Sequence, residues 1–402
     1  MSLHVVHLYD GHEKVHEGRG SVPDVVWSLA SRTTDRGHEV TVVERQWEDL
    51  PVTAEHEGVT FHRLNLSTGS DEPWTDIPYE MVGSPIGATR LLGDRTNFAL
   101  QAIRLLHHLE PDVIHVHLPF AANVVATLSP GMREGMVYTA HLGETESRVE
   151  EPTFSPDVYL AKRVGRTVAL NPKIRRAFAE RGVAEDRLVL VPNGVDVQRF
   201  SDVDPEVRAR TCEEYAIDGD PVVLFVGTVT PRKGVHELVE AASEIVDDHD
   251  GVQFVVVGRT DLEPDYTETV RDAIAAAGIE DQVTLTGFVS EEELLAFYDL
   301  ADLFVLPSYE EGSSIAVTEA MAAGLPVVGS DIDGIAQQID HGTHGLLTPP
   351  GDTATLAEHL SRLIEDADER AAMQSAIDAR ARELSWDRVT DRMVEVYAEV
   401  AR

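Results

Sequence analysis

The sequence predicts two α/β domains, each a doubly wound parallel sheet with helices on both faces. Three observations carry that expectation. Short Val/Ile/Leu-rich runs alternate with helical patterns almost throughout, as stacked βαβ units require. The runs are continuously apolar rather than alternating, which suits parallel strands covered on both sides. At 402 residues the chain has room for two cores, and its strand rhythm halts between Asn193 and Pro221, where charged residues accumulate. The expected domains are 1–200 and 201–385, with a cleft between their strand C-termini.

In the first domain, strands are expected at 3–8, 39–43, 59–63, 113–116, 136–139, 167–170 and 188–191. A polar loop at 10–20 leads into a helix carrying Val25, Val26, Leu29 and Ala30, which ends at Arg36-Gly37. Residues 67–92, rich in Pro, Gly and Asp, read as a long surface excursion. The second series of strands falls at 222–226, 253–257, 283–286, 303–306, 327–328 and 345–347, with helices at 235–246, 266–277 and 290–298. From Gly351 the pattern is helical to the end. The last helix, from Trp386, puts Val389, Met393, Val396, Tyr397 and Val400 on one side.

Composition narrows the class. A formal net charge of -38 argues against nucleic acid as a partner, because phosphate backbones need a basic surface. At 43% hydrophobic residues the chain is too apolar for a disordered acidic protein. Lys14, Lys162, Lys173 and Lys233 are its only lysines, and a folded, carboxylate-coated, lysine-poor chain suits a salt-rich, halophilic cytosol. No apolar run approaches the roughly 20 residues a membrane span needs. The N-terminal region enters a strand pattern without a basic leader, and Cys212 is the sole cysteine, so a cytoplasmic protein is expected. The one basic-leaning stretch, 162–187, offers peripheral contact with anionic lipid or a phosphorylated acceptor; a solvated helix face explains it more simply.

Several patterns bear on chemistry. After the strand at 303–306, Pro307 and Gly312 form a loop, and Ser313 or Ser314 can cap a helix ending near Gly324. The unpaired amides and dipole of such a helix start make a seat for phosphate. Glu311 lies just ahead of that seat and Glu319 over a turn inside the helix. Two carboxylates beside a phosphate make sense if each accepts hydrogen bonds from hydroxyls, as a sugar nucleotide would supply. Arg232 and Lys233, in a glycine-bounded turn after the strand at 222–226, can neutralise a diphosphate. Gly18 and Gly20 stand at the first strand-to-helix turn, without the spacing of a dinucleotide fingerprint. His115, His117 and His141 come at strand ends, where an open α/β sheet faces its ligand, and His141 is best placed. His12-Glu-Lys-Val-His16 matches a zinc-protease pattern but falls where the fold demands a loop, so no metal is assigned to it.

Taken together, these residues resemble the retaining glycosyltransferases of family 4 (glycosyl transferases group 1). The motifs are Arg36-Gly-His-Glu-Val-Thr-Val-Val43, Pro111-Asp-Val-Ile-His-Val-His117, Val191-Pro-Asn-Gly-Val-Asp196, the segments 225–234 and 311–324, and Thr286-Gly-Phe288. They stand in the family's order, and Glu311 with Glu319 looks like its Glu-x7-Glu signature. The resemblance implies the GT-B architecture: two facing Rossmann-like domains, with the C-terminal helix 386–402 crossing back to the first. It implies that Glu311 and His141 contact the transferred sugar and that Glu319 binds the ribose. Gly20, Arg232, Lys233, Ser313, Ser314 and Ile315 would hold the diphosphate, with Gly258 and Phe288 at the nucleotide pocket. No cofactor or metal is implied, and Asp331-Ile-Asp333 is discounted as a metal motif.

The chain departs from the family pattern in two places: Thr228 stands where Arg is common, and Ser313-Ser314 where Phe-Gly or similar is frequent. The implied activity is retaining transfer of a hexose from a nucleoside-diphosphate sugar to a glycan or lipid-linked acceptor. The leaving phosphate would help to deprotonate the acceptor. The alternatives are a nucleotide-sugar epimerase of the same architecture and a non-catalytic sugar-nucleotide-binding protein.

Overall fold

Mostly apolar runs become central strands. Val5, Val6 and Leu8 of β1 (His4–Leu8) are buried, as a strand covered on both faces requires. The computed structural model describes residues 2–16, 21–47, 50–65, 85–141, 149, 155–201, 203–249 and 251–401. It divides into two units, Met1–Asn193 with Trp386–Arg402, and Gly194–Ser385.

The first unit adds β2 (Glu39–Arg45), β3 (Thr53–His56), β4 (Val59–Leu64), β5 (Val113–Val116), β6 (Met136–Ala140), β7 (Arg166–Ala169) and β8 (Leu188–Leu190). They form one eight-stranded sheet in the order β3-β4-β2-β1-β5-β6-β7-β8. Every pairing is parallel except β3 with β4. The strand order reverses between β1 and β5, which makes that point the natural ligand crevice of this sheet. There His7 pairs in register with His115.

The second unit carries β9 (Val222–Val226), β10 (Gln253–Val257), β11 (Val283–Gly287), β12 (Leu303–Leu306), β13 (Val327–Ser330) and β14 (Gly345–Thr348). Its all-parallel order is β11-β10-β9-β12-β13-β14, so the reversal lies between β9 and β12. The turns that carry Lys233 and Glu311 follow those two strands. Both sheets are doubly wound, as the sequence predicts.

Three local features differ from expectation. The polar β3 was not foreseen; it forms a hairpin with β4 through Glu57 and Gly58, both at positive φ, as a two-residue turn requires. Residues 85–92 belong to the helix Pro85–Leu109 rather than to a surface excursion, while 67–84 lie outside the described residues. Charged groups also enter the first unit's interior: Arg45 pairs with Asp94, Arg63 with Glu44 at 2.8 Å, and Arg95 with Asp10 at 3.3 Å, all buried. Three cations there face three carboxylates, which is how buried charge is made tolerable. Residues 11–16 form no helix, so His12 and His16 do not present the one-face pair that a zinc protease needs. Among the described residues, no helix is long and apolar enough to cross a membrane.

The terminal helix Trp386–Val400 packs in the first unit. Arg36 Nε donates to Asp391 at 2.7 Å, and Arg166 Nε to Glu399 at 2.9 Å. Val389, Met393, Val396 and Tyr397 are buried along its inner side. Tyr397 carries a hydroxyl into this interior, and its partner is His115 Nδ1 at 2.8 Å. Tyr397→Phe should therefore strand a buried ring nitrogen and cost about 1–2 kcal/mol, read as a lowered urea midpoint. An unchanged midpoint would show that this bond contributes nothing.

Candidate functional site

In the second unit, two glycines let the segments after β9 and β13 close onto the loop after β12. Gly234 has φ +70, and a Cβ there would overlap the Pro307 carbonyl at the end of β12. A Cβ on Gly334 would likewise overlap the Glu311 carbonyl. The loops are then stitched together. The Tyr309 amide donates to the Arg232 carbonyl at 2.9 Å, and Arg232 Nη1 donates to the Glu310 carbonyl at 2.6 Å.

This brings Lys233 Nζ to 2.6 Å from Glu311 Oε1, which also accepts from Ser308 Oγ at 2.8 Å. Arg232 Nη1 stands 3.7 Å from the same oxygen. The Glu311 side chain is only 9% exposed. Burial pushes its pKa up, but the Lys233 ammonium, the Arg232 guanidinium and the two hydrogen bonds outweigh burial and hold it below the usual carboxylate range. Glu311 is a buried anion.

The helix expected to seat a phosphate spans Ile315–Ala322, with Ser314 as N-cap accepting from the Val317 amide at 3.3 Å. Gln338 Nε2 braces the cap, donating to the Ser314 carbonyl at 2.9 Å and to Ser313 Oγ at 3.5 Å. Of the amides expected to face phosphate, that of Ser314 reaches the Gly334 carbonyl at 3.4 Å, a long and weak contact. Glu319 accepts from the buried Tyr298 hydroxyl at 2.9 Å. Gly258 ends β10 with φ +151, lying so close to Gly227 that a side chain would overlap its carbonyl. Phe288, just past β11, is 60% exposed, and Thr228 is half-buried.

In the first unit, His141 follows β6 and His115 and His117 follow one another on or just beyond β5. His117 Nδ1 lies 2.8 Å from His141 Nε2, and His117 Nε2 lies 2.9 Å from His7 Nδ1. His115 bonds Tyr397 and, at 2.7 Å, Thr139 Oγ1. Burial pushes His7 and His141 down to about 3 and His115 and His117 well below the usual imidazole value, so all four are neutral. Nitrogens of His7, His115 and His117 lie within 4.8 Å of one another, the one group among the described residues able to gather around a metal ion. A cation there would displace the bonds that His115 and His117 already make. Gly20 lies outside the described residues.

Sequence reasoning found the charged and histidine members but missed Ser308, Tyr298, Gln338, Gly334 and His7. His7 had a visible signal, a polar residue interrupting the apolar run of β1. The others act through contacts that only the fold creates.

A model described as Glycosyltransferase Family 4 matches residues 22–199, and one described as Glycosyl transferases group 1 matches 208–380. Alpha-D-kanosaminyltransferase of Streptomyces kanamyceticus is 35% identical over 204 residues, covering 50% of this chain and 52% of that one. The chain thus matches about half the length of that relative. A D-inositol 3-phosphate glycosyltransferase of Pseudarthrobacter chlorophenolicus is 26% identical over 391 residues, 94% of this chain and 90% of the other. Anabaena HepE, solved in complex with UDP and glucose, shares the fold with a TM-score of 0.76 at 19% identity, over 98% of this chain and 99% of that one.

The Lys233–Glu311 pair sets a pH signature. Glu311 titrates below its ordinary 4.5 in the folded chain, so the pair stabilises the fold above that pH. The contribution fades as pH falls through the lowered value. In Lys233→Met, burial is opposed mainly by Arg232, and the carboxyl rises instead. The variant should lose roughly 2–4 kcal/mol at neutral pH. The deficit should shrink toward about pH 4 as Glu311 takes up a proton. Urea midpoints of both proteins at the two pH values test this; a pH-independent deficit would refute the charge argument.

Proposed function

The chain belongs to the family 4, group 1 glycosyltransferases, and from that premise we propose that it moves a hexose from a nucleoside-diphosphate sugar, with retention of configuration, to a glycan or lipid-linked acceptor. The observation that carries the donor assignment is the placing of Lys233, Glu311 and the start of the helix Ile315–Ala322 at one sheet's reversal point. An ammonium has three donors, and Glu311 uses one of them. The same Lys233 can therefore hold Glu311 and still face phosphate oxygens. Arg232 and the helix start add positive charge without a metal. The UDP and glucose bound by Anabaena HepE illustrate a ligand of this class.

In this reading Glu311, kept ionised, accepts hydrogen bonds from the transferred sugar, and Glu319, oriented by Tyr298, accepts them from the ribose. Ser313, Ser314 and Ile315 cradle the diphosphate, Gly20 approaches it, and Gly258 and Phe288 border the base. His141 contacts the sugar. As the glycosidic bond to the diphosphate breaks, the departing phosphate oxygen takes the acceptor hydroxyl's proton, and the acceptor oxygen bonds the anomeric carbon on the same face. Negative charge grows on that phosphate, so Lys233 stabilises the transition state more than the ground state.

Lys233→Ala should weaken binding of the free nucleoside diphosphate about 10- to 100-fold by calorimetry, the worth of a charge-assisted bond. Unchanged affinity would remove Lys233 from the site. Glu311→Ala and His141→Ala should abolish transfer while sparing the fold. Wild-type turnover of donor with no acceptor present would favour the epimerase instead.

A further inference from the structure

His7, His117 and His141 form a hydrogen-bonded chain that leads from the interior of the first unit's sheet to the end of β6. His7 Nδ1 meets His117 Nε2 at 2.9 Å, and His117 Nδ1 meets His141 Nε2 at 2.8 Å. Adjacent rings meet edge to edge and nearly coplanar, with interplanar angles of 15° and 20°. Each neutral imidazole owns one N–H. His117 is therefore donor in one of its two bonds and acceptor in the other. Both bonds must run in the same direction, so the three rings share one proton order.

Only two orders exist. Either the third N–H sits on His7 Nε2, or it sits on His141 Nδ1. His7 is 0% exposed, and its Nε2 has no hydrogen-bond partner among the described residues. A proton there would be a stranded buried donor, the rarest kind of unsatisfied group in folded proteins; a bare nitrogen leaves only an unused acceptor. The buried end thus decides the state of the outer end.

We propose that His7 and His117 act as positioning residues which lock His141 with its proton on Nδ1, making it a hydrogen-bond donor that cannot serve as a base. The order runs from His7 Nδ1–H to His117 Nε2, then from His117 Nδ1–H to His141 Nε2. His141 then presents Nδ1–H to an acceptor oxygen, such as a sugar hydroxyl or ring oxygen. The proton released by the attacking hydroxyl must go elsewhere. This rests on the reading of His141 as a sugar-contacting residue, but the proton order itself does not.

The test is the ring-nitrogen NMR spectrum of the full chain labelled with 15N-histidine, free of ligand at neutral pH. His141 should show Nδ1 protonated and Nε2 bare; the reverse assignment overturns the proposal. His7→Asn keeps a donor where Nδ1 stood and should preserve the His141 signature. His7→Leu removes that donor, and the bare-Nδ1 form of His141 should become populated. If His7→Leu leaves the His141 spectrum unchanged, the coupling is refuted. In transfer assays, His7→Leu should lower kcat about two- to tenfold with little change in donor KM, and His7→Asn should restore it. A locked spectrum combined with a fully active His141→Ala would uphold the proton order and reject the catalytic reading.

Discussion

The second unit's site depends on one ion pair. Glu311 is almost fully enclosed, and an enclosed carboxylate would ordinarily take up a proton rather than remain charged. Lys233 prevents that from 2.6 Å, with Arg232 behind it. The anion is then available to accept hydrogen bonds at neutral pH, which a carboxylic acid would do poorly. Gly234 matters for the same reason: a Cβ there would overlap the Pro307 carbonyl and hold the Lys233 turn away from the Glu311 loop.

The first unit solves its reversal point with the opposite electrostatics. Four histidines line it, all neutral, and three of them, His7, His117 and His141, are joined by hydrogen bonds instead of charge. In a protein of net charge -38, protonated histidines would gain from the surrounding field. Burial outweighs that field, and neutral hydrogen bonds to one another, Tyr397 and Thr139 hold the rings, with His7 Nε2 their only buried nitrogen left without a partner among the described residues. Charged groups do enter this unit, but as balanced pairs such as Arg63 with Glu44.

The parallel sheets were legible because a strand covered on both faces is apolar at most positions, and such runs are plain in the chain. Lys233, Glu311 and His141 stood out in the sequence because they follow strand ends, where an open α/β sheet faces its ligand, and Glu319 because it lies on the helix that comes next. The rest was hidden for physical reasons. β3 is polar and exists through a two-residue turn, which apolar periodicity does not detect. The start of the helix Pro85–Leu109 is rich in turn-forming residues, yet Pro suits the first turn of a helix. Tyr298 and Gln338 serve the site across distances of 21 and 24 residues in sequence, a register set by packing alone.

The choice of lysine at position 233 follows from the same constraints. Lysine is nearly absent from this chain, and Lys233 is the only one in the second unit, while its neighbour is already Arg232. An arginine at 233 would offer a planar fork matched to a carboxylate, and Glu311 would occupy both of its prongs. A lysine is a compact charge with three donors around one nitrogen, so holding Glu311 leaves capacity for a second anion in another direction. In the proposed donor site, one such cation would serve a permanent anion, Glu311, and a transient one, the diphosphate, together.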